Sequence, residues 1–341
     1  MSRPMTILTV SLLAAGLVCG CGDKGGGPAG GGDANGAAAG ADANKAAGGG
    51  AVKQTGGVIG ISVLTMTNPF FKEIVDNVRD EAAKHGYKVV AVSGEFDAAR
   101  QYTQVKDFLV QKVSAIILTP CDSQAVGTAV KEANLAGVPV FTADIACLAT
   151  DAKVVCHVAT DNYSGGRQAA KAMMEALGNK GKVAIIDHPE VESVILRTKG
   201  FRDALREANS PIEIVKVLPG KGSKDTSFAV AREILNAHGD LAGIFAINDP
   251  SALGAVAAVE IAKRTGKIVI IGFDGQPEGK KAILDGKIHA DPIQFPDQIG
   301  RRTVQMIIQY LDGERTPAEV LIPTKLYYKA DAEQDASLKE K

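Results

Sequence analysis

From residue 57 onward, short β-branched runs alternate with amphipathic stretches, and this alternation argues for βα units wound around parallel sheets. "GVIGISVL" reads as a strand. Phe71, Ile74, Val75, Val78 and Ala82 then recur at helical spacing, up to Gly86, which suits a helix C-cap. "YKVVAV", "SAIILT" and "VPVFTAD" read as further strands, separated by a helix through Val105, Phe108 and Leu109 and by the helix "SQAVGTAVKEANLAG". A second series opens at "TDNYSGGRQAAKAMMEALG" and repeats the alternation through "KVAIID", "IEIVKV", "AGIFAIND" and "KIVIIGFDG", with helices between. The terminal "PDQIGRRTVQMIIQYLDG" and "LIPTKLYYKA" add a helix and one or two strands, enough to cross back between the halves. At 341 residues and 45% hydrophobic composition, the chain can bury cores for two such α/β lobes, each a doubly wound parallel sheet.

The first 56 residues cannot join either core. Arg3, the apolar "TILTVSLLAAGLV" and the small residues before Cys21 form an export signal. This stretch also resembles the lipobox of bacterial lipoproteins, with Val18 at the aliphatic position, Gly20 before the cut and Cys21 as the lipidated residue; Cys19 is an unusual occupant. Residues 22–56 are almost all Gly, Ala, Asn and Asp, a flexible tether whose roughly 35 residues would span about 30–35 Å. No later segment approaches the apolar length of a membrane span. Lys and Arg total 38 against 39 Asp and Glu, so no global field attracts nucleic acid or an anionic surface. The membrane is therefore expected to be met only through an N-terminal lipid anchor.

Export brings disulfides into play. Cys147 and Cys156 flank the short loop "CLATDAKVVC" and are expected to form a bridge; buried unpaired thiols are the alternative.

Polar residues recur directly after the apolar strands: Asn68 after "VLTMT", Asp144 after "VFTA", Asn248 and Asp249 after "IFAI", Asp274 after "IIGF". In doubly wound sheets the carboxyl ends of strands open on the ligand crevice. If the halves face each other, these groups converge on one ligand. Asp, Asn and Gln side chains suit the hydroxyl edges of a sugar, Arg adds a donor fork, and aromatic rings suit its C–H faces. "NPFF" at 68–71 supplies Phe70 and Phe71 next to Asn68. Phe71 also fits the helical stripe, so core and ligand face are both open to it; Phe70, outside the stripe, is expected to meet ligand.

Catalytic motifs are missing. There is no G-x-S-x-G, no H-E-x-x-H and no G-x-x-x-x-G-K-[ST], and the five histidines lack metal-ligand spacing. No cofactor and no metal is expected. "DHPE" at 187–190 offers two carboxylates and an imidazole after a strand, a hydrolytic set or a group of rim contacts.

"NPFF", "TPCDSQAVGTAVKEANLAGVPV", "ATDNYSGG", "FAIND", "GFDGQPEG" and "PDQIG" together make the chain resemble the periplasmic sugar-binding proteins of ABC transporters, most closely the ribose-binding type, over residues 57 to about 330. The resemblance implies two lobes joined by three crossing strands, closing over a monosaccharide like a hinge: residues 57–159 with 295–322, and residues 160–294 with 323–330, followed by a tail at 331–341. It implies ligand contacts at Asn68, Phe70, Phe71, Asp144, Arg197, Asn248, Asp274 and Gln294; Arg197 and Gln294 rest mainly on it. Three positions depart from the ribose pattern: Ile145 replaces an arginine, Gly222 stands near where an aromatic is usual, and Thr119 replaces an asparagine. Fewer or different hydroxyls would be read, and space would open.

The expected function is capture of a pentose, hexose or polyol by a monomeric, lipid-anchored protein of the periplasm or cell envelope that delivers it to an ABC permease and does no chemistry. Delivery to a chemoreceptor or sensor kinase is the first alternative, and a secreted sugar enzyme is another. A repressor of the same fold is disfavoured by the export signal and by the absence of a helix-turn-helix before the first strand.

Overall fold

The computed structural model describes residues 56–339; the expected signal, the expected lipidation at Cys21 and nearly all of the expected tether lie outside the described residues. The first series runs β1 (Gly57–Val63), α1 (Pro69–Lys84), β2 (Tyr87–Ser93), α2 (Ala98–Val110), β3 (Ala115–Leu118), α3 (Gly127–Leu135), β4 (Val140–Ala143) and β5 (His157–Thr160). The second runs α4 (Asn162–Ala176), β6 (Lys182–Asp187), α5 (Glu192–Glu207), β7 (Glu213–Pro219), α6 (Lys224–Ala237), β8 (Leu241–Ala246), α7 (Asp249–Ile261), β9 (Val269–Ile271), α8 (Pro277–Leu284) and β10 (Ala290–Ile293). The chain ends with α9 (Pro296–Leu311), β11 (Glu319–Ile322), β12 (Lys325–Tyr328) and α10 (Lys329–Gln334).

The two series make two six-stranded sheets of matching order, β11-β5-β4-β3-β1-β2 and β12-β10-β9-β8-β6-β7. Every described pairing is parallel except that of β10 with β12. The order reverses beside β1 in one sheet and beside β6 in the other, which is where a doubly wound sheet opens a crevice. Between described residues the chain passes from one α/β half to the other three times: from β5 to α4, from β10 to α9, and from β11 to β12. α9 belongs with the first half, packed on α1.

Strand burial explains the continuous apolar runs. Ile59, Ile61, Ile116, Ile117 and Leu118 of the first sheet and Val183, Ile185, Ile244 and Phe245 of the second are inaccessible to solvent because helices cover both faces. The helix expected from residue 123 starts only at Gly127, because Asp122 accepts from Gln124 N and Ala125 N and holds the preceding residues in a turn. The expected tail is partly structured: α10 packs on α8 and β12, burying Ala332.

α4 and α5 make the closest helix crossing in the second half, and two glycines permit it. A β-carbon at Gly166 would stand 2.0 Å from Arg197 O, and one at Gly200 2.1 Å from Tyr163 O. Backbone meets backbone there, which sets the depth at which Arg197 enters the molecule. Gly166→Ala is expected to destabilise the protein by about 1–3 kcal/mol, measured by urea denaturation, since the helices must separate to admit the methyl group. Unchanged stability would mean the crossing is looser than it looks.

The expected Cys147–Cys156 bridge is not formed; both thiols are free, as is that of Cys121. The loop between them is drawn apart by its neighbours. Asn134 on α3 accepts from Lys153 N and donates to Lys153 O, and Ala149 packs on Gly127, so Cys147 joins the apolar cluster beneath α2 and α3. Cys156 is pulled into the sheet by Thr142 N, which donates to its carbonyl, and is buried in a different cluster. Burial pushes its thiol up to about 11, so it behaves as a small hydrophobe.

Candidate functional site

All eight side chains expected at the site line one cleft between the two halves. Asn68 follows β1, Asp144 follows β4, Asn248 follows β8, Asp274 follows β9 and Gln294 follows β10, while Phe70 and Phe71 come from the first turn of α1 and Arg197 from α5. The cleft is a narrow slot with a cavity volume of about 30 Å³, lined from both walls.

Arg197 organises the second wall. Its Nε donates to Asn162 Oδ1 at 2.8 Å, and its Nη1 donates to Ile247 O at 2.8 Å and to Asp274 Oδ1 at 3.3 Å. The guanidinium lies 3.8 Å from the centre of the Phe273 ring, a desolvated cation–π contact. Gln294 Nε2 donates to the same Asp274 Oδ1 at 2.6 Å, and Gln294 Oε1 is buried without a partner. Burial pushes the Asp274 carboxyl up to about 6, against the pull of Arg197 and Gln294. Its backbone sits at φ 105°, outside the regions a residue with a β-carbon prefers, and the following Gly275 turns back at φ 75°. Such a conformation costs on the order of 1–3 kcal/mol and turns the carboxylate out of the sheet.

Asp144 is the counterpart in the first wall. It too takes a positive φ, 65°, held by its N–H donating to Val158 O at 2.9 Å. Its Oδ1 is buried with no partner, and Ile145 beside it contributes no charge. Burial pushes Asp144 up to about 7, with Arg197 pulling the other way and Asp274 adding to the rise. An unpartnered carboxyl oxygen in a cleft is an acceptor waiting for a donor.

The asparagines are both helix caps and cleft residues. Asn68 Oδ1 accepts from Phe70 N at 3.0 Å and Asn248 Oδ1 accepts from Ser251 N at 2.9 Å, each capping its helix. At Asn248 the cap orients a side chain that lines the cleft, its Nδ2 donating to Gly222 O at 3.2 Å. Phe70 and Phe71 likewise do both jobs: they are buried in the core and meet edge to face, 5.3 Å apart, while lining the cleft.

The "DHPE" segment does not assemble a catalytic set. The Asp187 carboxylate is taken by Thr198 Oγ1 at 2.8 Å, Glu190 lies outside at the rim, and only His188 lines the cleft. Burial lowers the His188 pKa, so the ring is neutral at pH 7. Behind Asp274, Asp249 accepts from Gln276 N at 2.5 Å and interacts with Asp291; burial first and their mutual repulsion second raise Asp249 well above the usual carboxylate range, while burial pushes Asp291 to about 7. No group of three or more potential metal ligands occurs among the described residues.

Ser123 ties the halves together at the edge of the slot. Its N–H donates to Glu190 O at 3.0 Å, and its Oγ accepts from Glu192 N at 2.9 Å, so a residue of the first half caps α5 of the second. These bonds require the cleft to be closed.

Comparison with known sequences decides the family, since the pattern of the periplasmic binding protein domain matches residues 59–315. The chain is a periplasmic binding protein. It is 35% identical to the ribose import binding protein of Escherichia coli over 272 residues, 80% of this chain and 90% of that one. It is 30% identical to the D-apiose import binding protein of Paraburkholderia graminis over 282 residues, 82% of this chain and 89% of that one. Among solved structures, an ABC transporter solute binding protein from Agrobacterium vitis with bound D-fucose superposes with a TM-score of 0.77 at 30% identity, covering 83% of this chain and 99% of that one. One from Actinobacillus succinogenes with bound D-allose gives 0.75 at 28% identity, covering 82% and 100%.

In this binding protein two of the three departures read from the sequence, Ile145 and Gly222, line the slot, and Thr119 does not. Ile145 does leave Asp144 without an adjacent donor fork, as its orphaned oxygen attests. Near Gly222 the slot is bordered by Phe96 from the first half, and an outer groove lined by both residues lies beside it. Phe96, Ser123 and Asn162 escaped the sequence reading, whereas His188 entered it within "DHPE", as part of a hydrolytic set or of rim contacts. His188 follows β6 as Asn248 follows β8, and it is the member of that segment that lines the cleft.

Proposed function

We propose that this periplasmic binding protein captures one uncharged monosaccharide or polyol between its lobes and delivers it to an ABC permease. The observation that carries this reading is the convergence of Asn68 and Asp144 from one half with Asn248, Asp274, Gln294 and Arg197 from the other on a single slot floored by Phe70 and Phe71. Hydroxyl groups answer both the orphaned Asp144 and Gln294 oxygens and the donors of Arg197 and Asn248. Arg197 and Asp274 neutralise each other, which favours an uncharged guest. The lobes, residues 57–159 with 295–322 and 160–294 with 323–330, move about the three crossings, and contacts to both walls stabilise the closed form. A lipid at Cys21 and the tether before residue 57 would keep the monomer at the membrane of its permease. The protein binds and releases without chemistry, as its relatives are named for binding.

A micromolar affinity corresponds to about −8 kcal/mol. Several charge-assisted hydrogen bonds of about 1.5–3 kcal/mol each supply it after ordering costs. The test is a thermal-shift screen of pentoses, hexoses and polyols, followed by calorimetry of the sugar that raises the melting temperature most. Asp274→Ala and Asn248→Ala are each expected to weaken that sugar about tenfold or more while remaining folded. Unchanged affinity in both variants would remove these residues from the site.

A further inference from the structure

Phe96 sits on the connection between β2 and α2, where Glu95 and Phe96 both take left-handed backbone, φ 52° and 60°. Consecutive non-glycine residues rarely do so, and the turn is held by hydrogen bonds: Gly94 N to Val63 O, Phe96 N to Leu64 O and Asp97 N to Gly94 O. Asp97 then caps α2 through Ala99 N and Arg100 N. The product of this constrained turn is a phenylalanine left 41% exposed.

Its position gives the exposure a purpose. Phe96 borders the inner slot, and it also borders two outer grooves, one running past Asn68 and Gln276, the other past Cys121 and Lys221. Among the residues of these three spaces Phe96 is the one they have in common, with Asn68 and Gly222 shared by the slot and the first groove and His188 by the slot and the second. Facing it from the other half is His188, 6.5 Å away between ring centres at 48°, within the range of aromatic pairs. Position 222, next to His188, has no room for a ring of its own. Gly222 is at φ 63°, and a β-carbon there would come within 3.1 Å of Asn248 Nδ2 and 3.5 Å of His188 Nδ1.

We propose that Phe96, seated against His188 across the closed cleft, supplies from the first lobe the aromatic face that position 222 lacks and seals the ligand chamber. This rests on the sugar-binding reading above. The ring packs on the C–H face of the bound sugar and blocks its exit, so it sets retention and ligand choice.

The experiment compares the native protein with Phe96→Ala, Phe96→Leu and Phe96→Tyr, using D-ribose, D-allose and myo-inositol as probes, with calorimetry for affinity and rapid mixing for dissociation rate. Phe96→Ala is expected to weaken whichever probes bind by about 10–100-fold, chiefly through faster dissociation, with little change in melting temperature because the ring is exposed. Phe96→Tyr should stay within about threefold of the native protein, and Phe96→Leu, a wall without a flat face, should fall between. Native binding with an unchanged dissociation rate in Phe96→Ala overturns the seal and leaves the sugar site standing. Should none of the three bind, the sugar that raises the melting temperature most replaces them, and failure of the native protein to bind any sugar or polyol of that screen overturns the sugar reading and the seal together.

Discussion

Arg197→Ala is expected to lose sugar binding by at least about a hundredfold and to lower unfolding free energy by about 3–5 kcal/mol. The large stability loss comes from what is left behind. Asp274 is fully buried and held between Arg197 and Gln294. Removing the cation leaves an uncompensated carboxylate, and it strips the donors from Asn162 Oδ1 and Ile247 O as well. Arg197→Lys separates the contributions. A lysine restores the charge near Asp274 but cannot reach three acceptors in one plane, so stability should recover in part and affinity should not. Urea denaturation reads the first effect and calorimetry the second. If Arg197→Ala stays within about 1 kcal/mol of the native protein, the Asp274 pair is not the keystone of this wall.

Asp144→Asn is expected to act in opposite directions on stability and binding. In the folded protein burial raises the Asp144 pKa to about 7 from 3.8. The folded state therefore holds the proton more tightly than the unfolded chain, so stability falls as pH rises between about 4 and 7, and the deficit is complete above 7. Asparagine carries no charge to desolvate and tolerates the positive φ at this position. At pH 8 the unliganded variant should be more stable than the native protein by up to about 4 kcal/mol, an upper bound because opening of the lobes would rehydrate the carboxylate. At pH 4 or below the gain should vanish. Asp249 and Asp291 are raised in the same direction, so the comparison must be between variant and native protein at each pH rather than across pH in one protein.

Binding of a sugar hydroxyl to Asp144 favours its charged form. Affinity of the native protein should therefore rise from pH 5 to pH 8 with release of a proton, measurable by calorimetry in buffers of different ionisation enthalpy. In Asp144→Asn this pH dependence should flatten, and affinity at pH 8 should fall about tenfold. A variant no more stable than the native protein at pH 8 would show that Asp144 finds a partner in solution.

The parts of the site that were legible in the sequence share one origin. Asn68, Asp144, Asn248 and Asp274 follow apolar strands, and a doubly wound sheet sends every strand end to the same edge. Arg197 and Gln294 carried no such signal by themselves. An arginine on an amphipathic helix reads as a solvated charge, and only the glycine-mediated crossing of α4 and α5 sinks it into the second wall. Phe96 follows a strand too, but what aims it is a pair of left-handed residues with ordinary side chains, and sequence does not announce those. The cysteine bridge failed for a related reason: nine positions along the chain say little about distance when α3 and the sheet pull the two ends into separate cores.

By itself, the sequence determined the alternation of strand and helix, its repetition in two halves and the family to which the chain belongs, because each depends on periodicity and local residue type. Tertiary structure alone decided which polar groups are orphaned, which carboxyls resist ionisation and which ring closes the slot. Those properties come from desolvation and from contacts between residues far apart in the chain, and both exist only once the two walls have met.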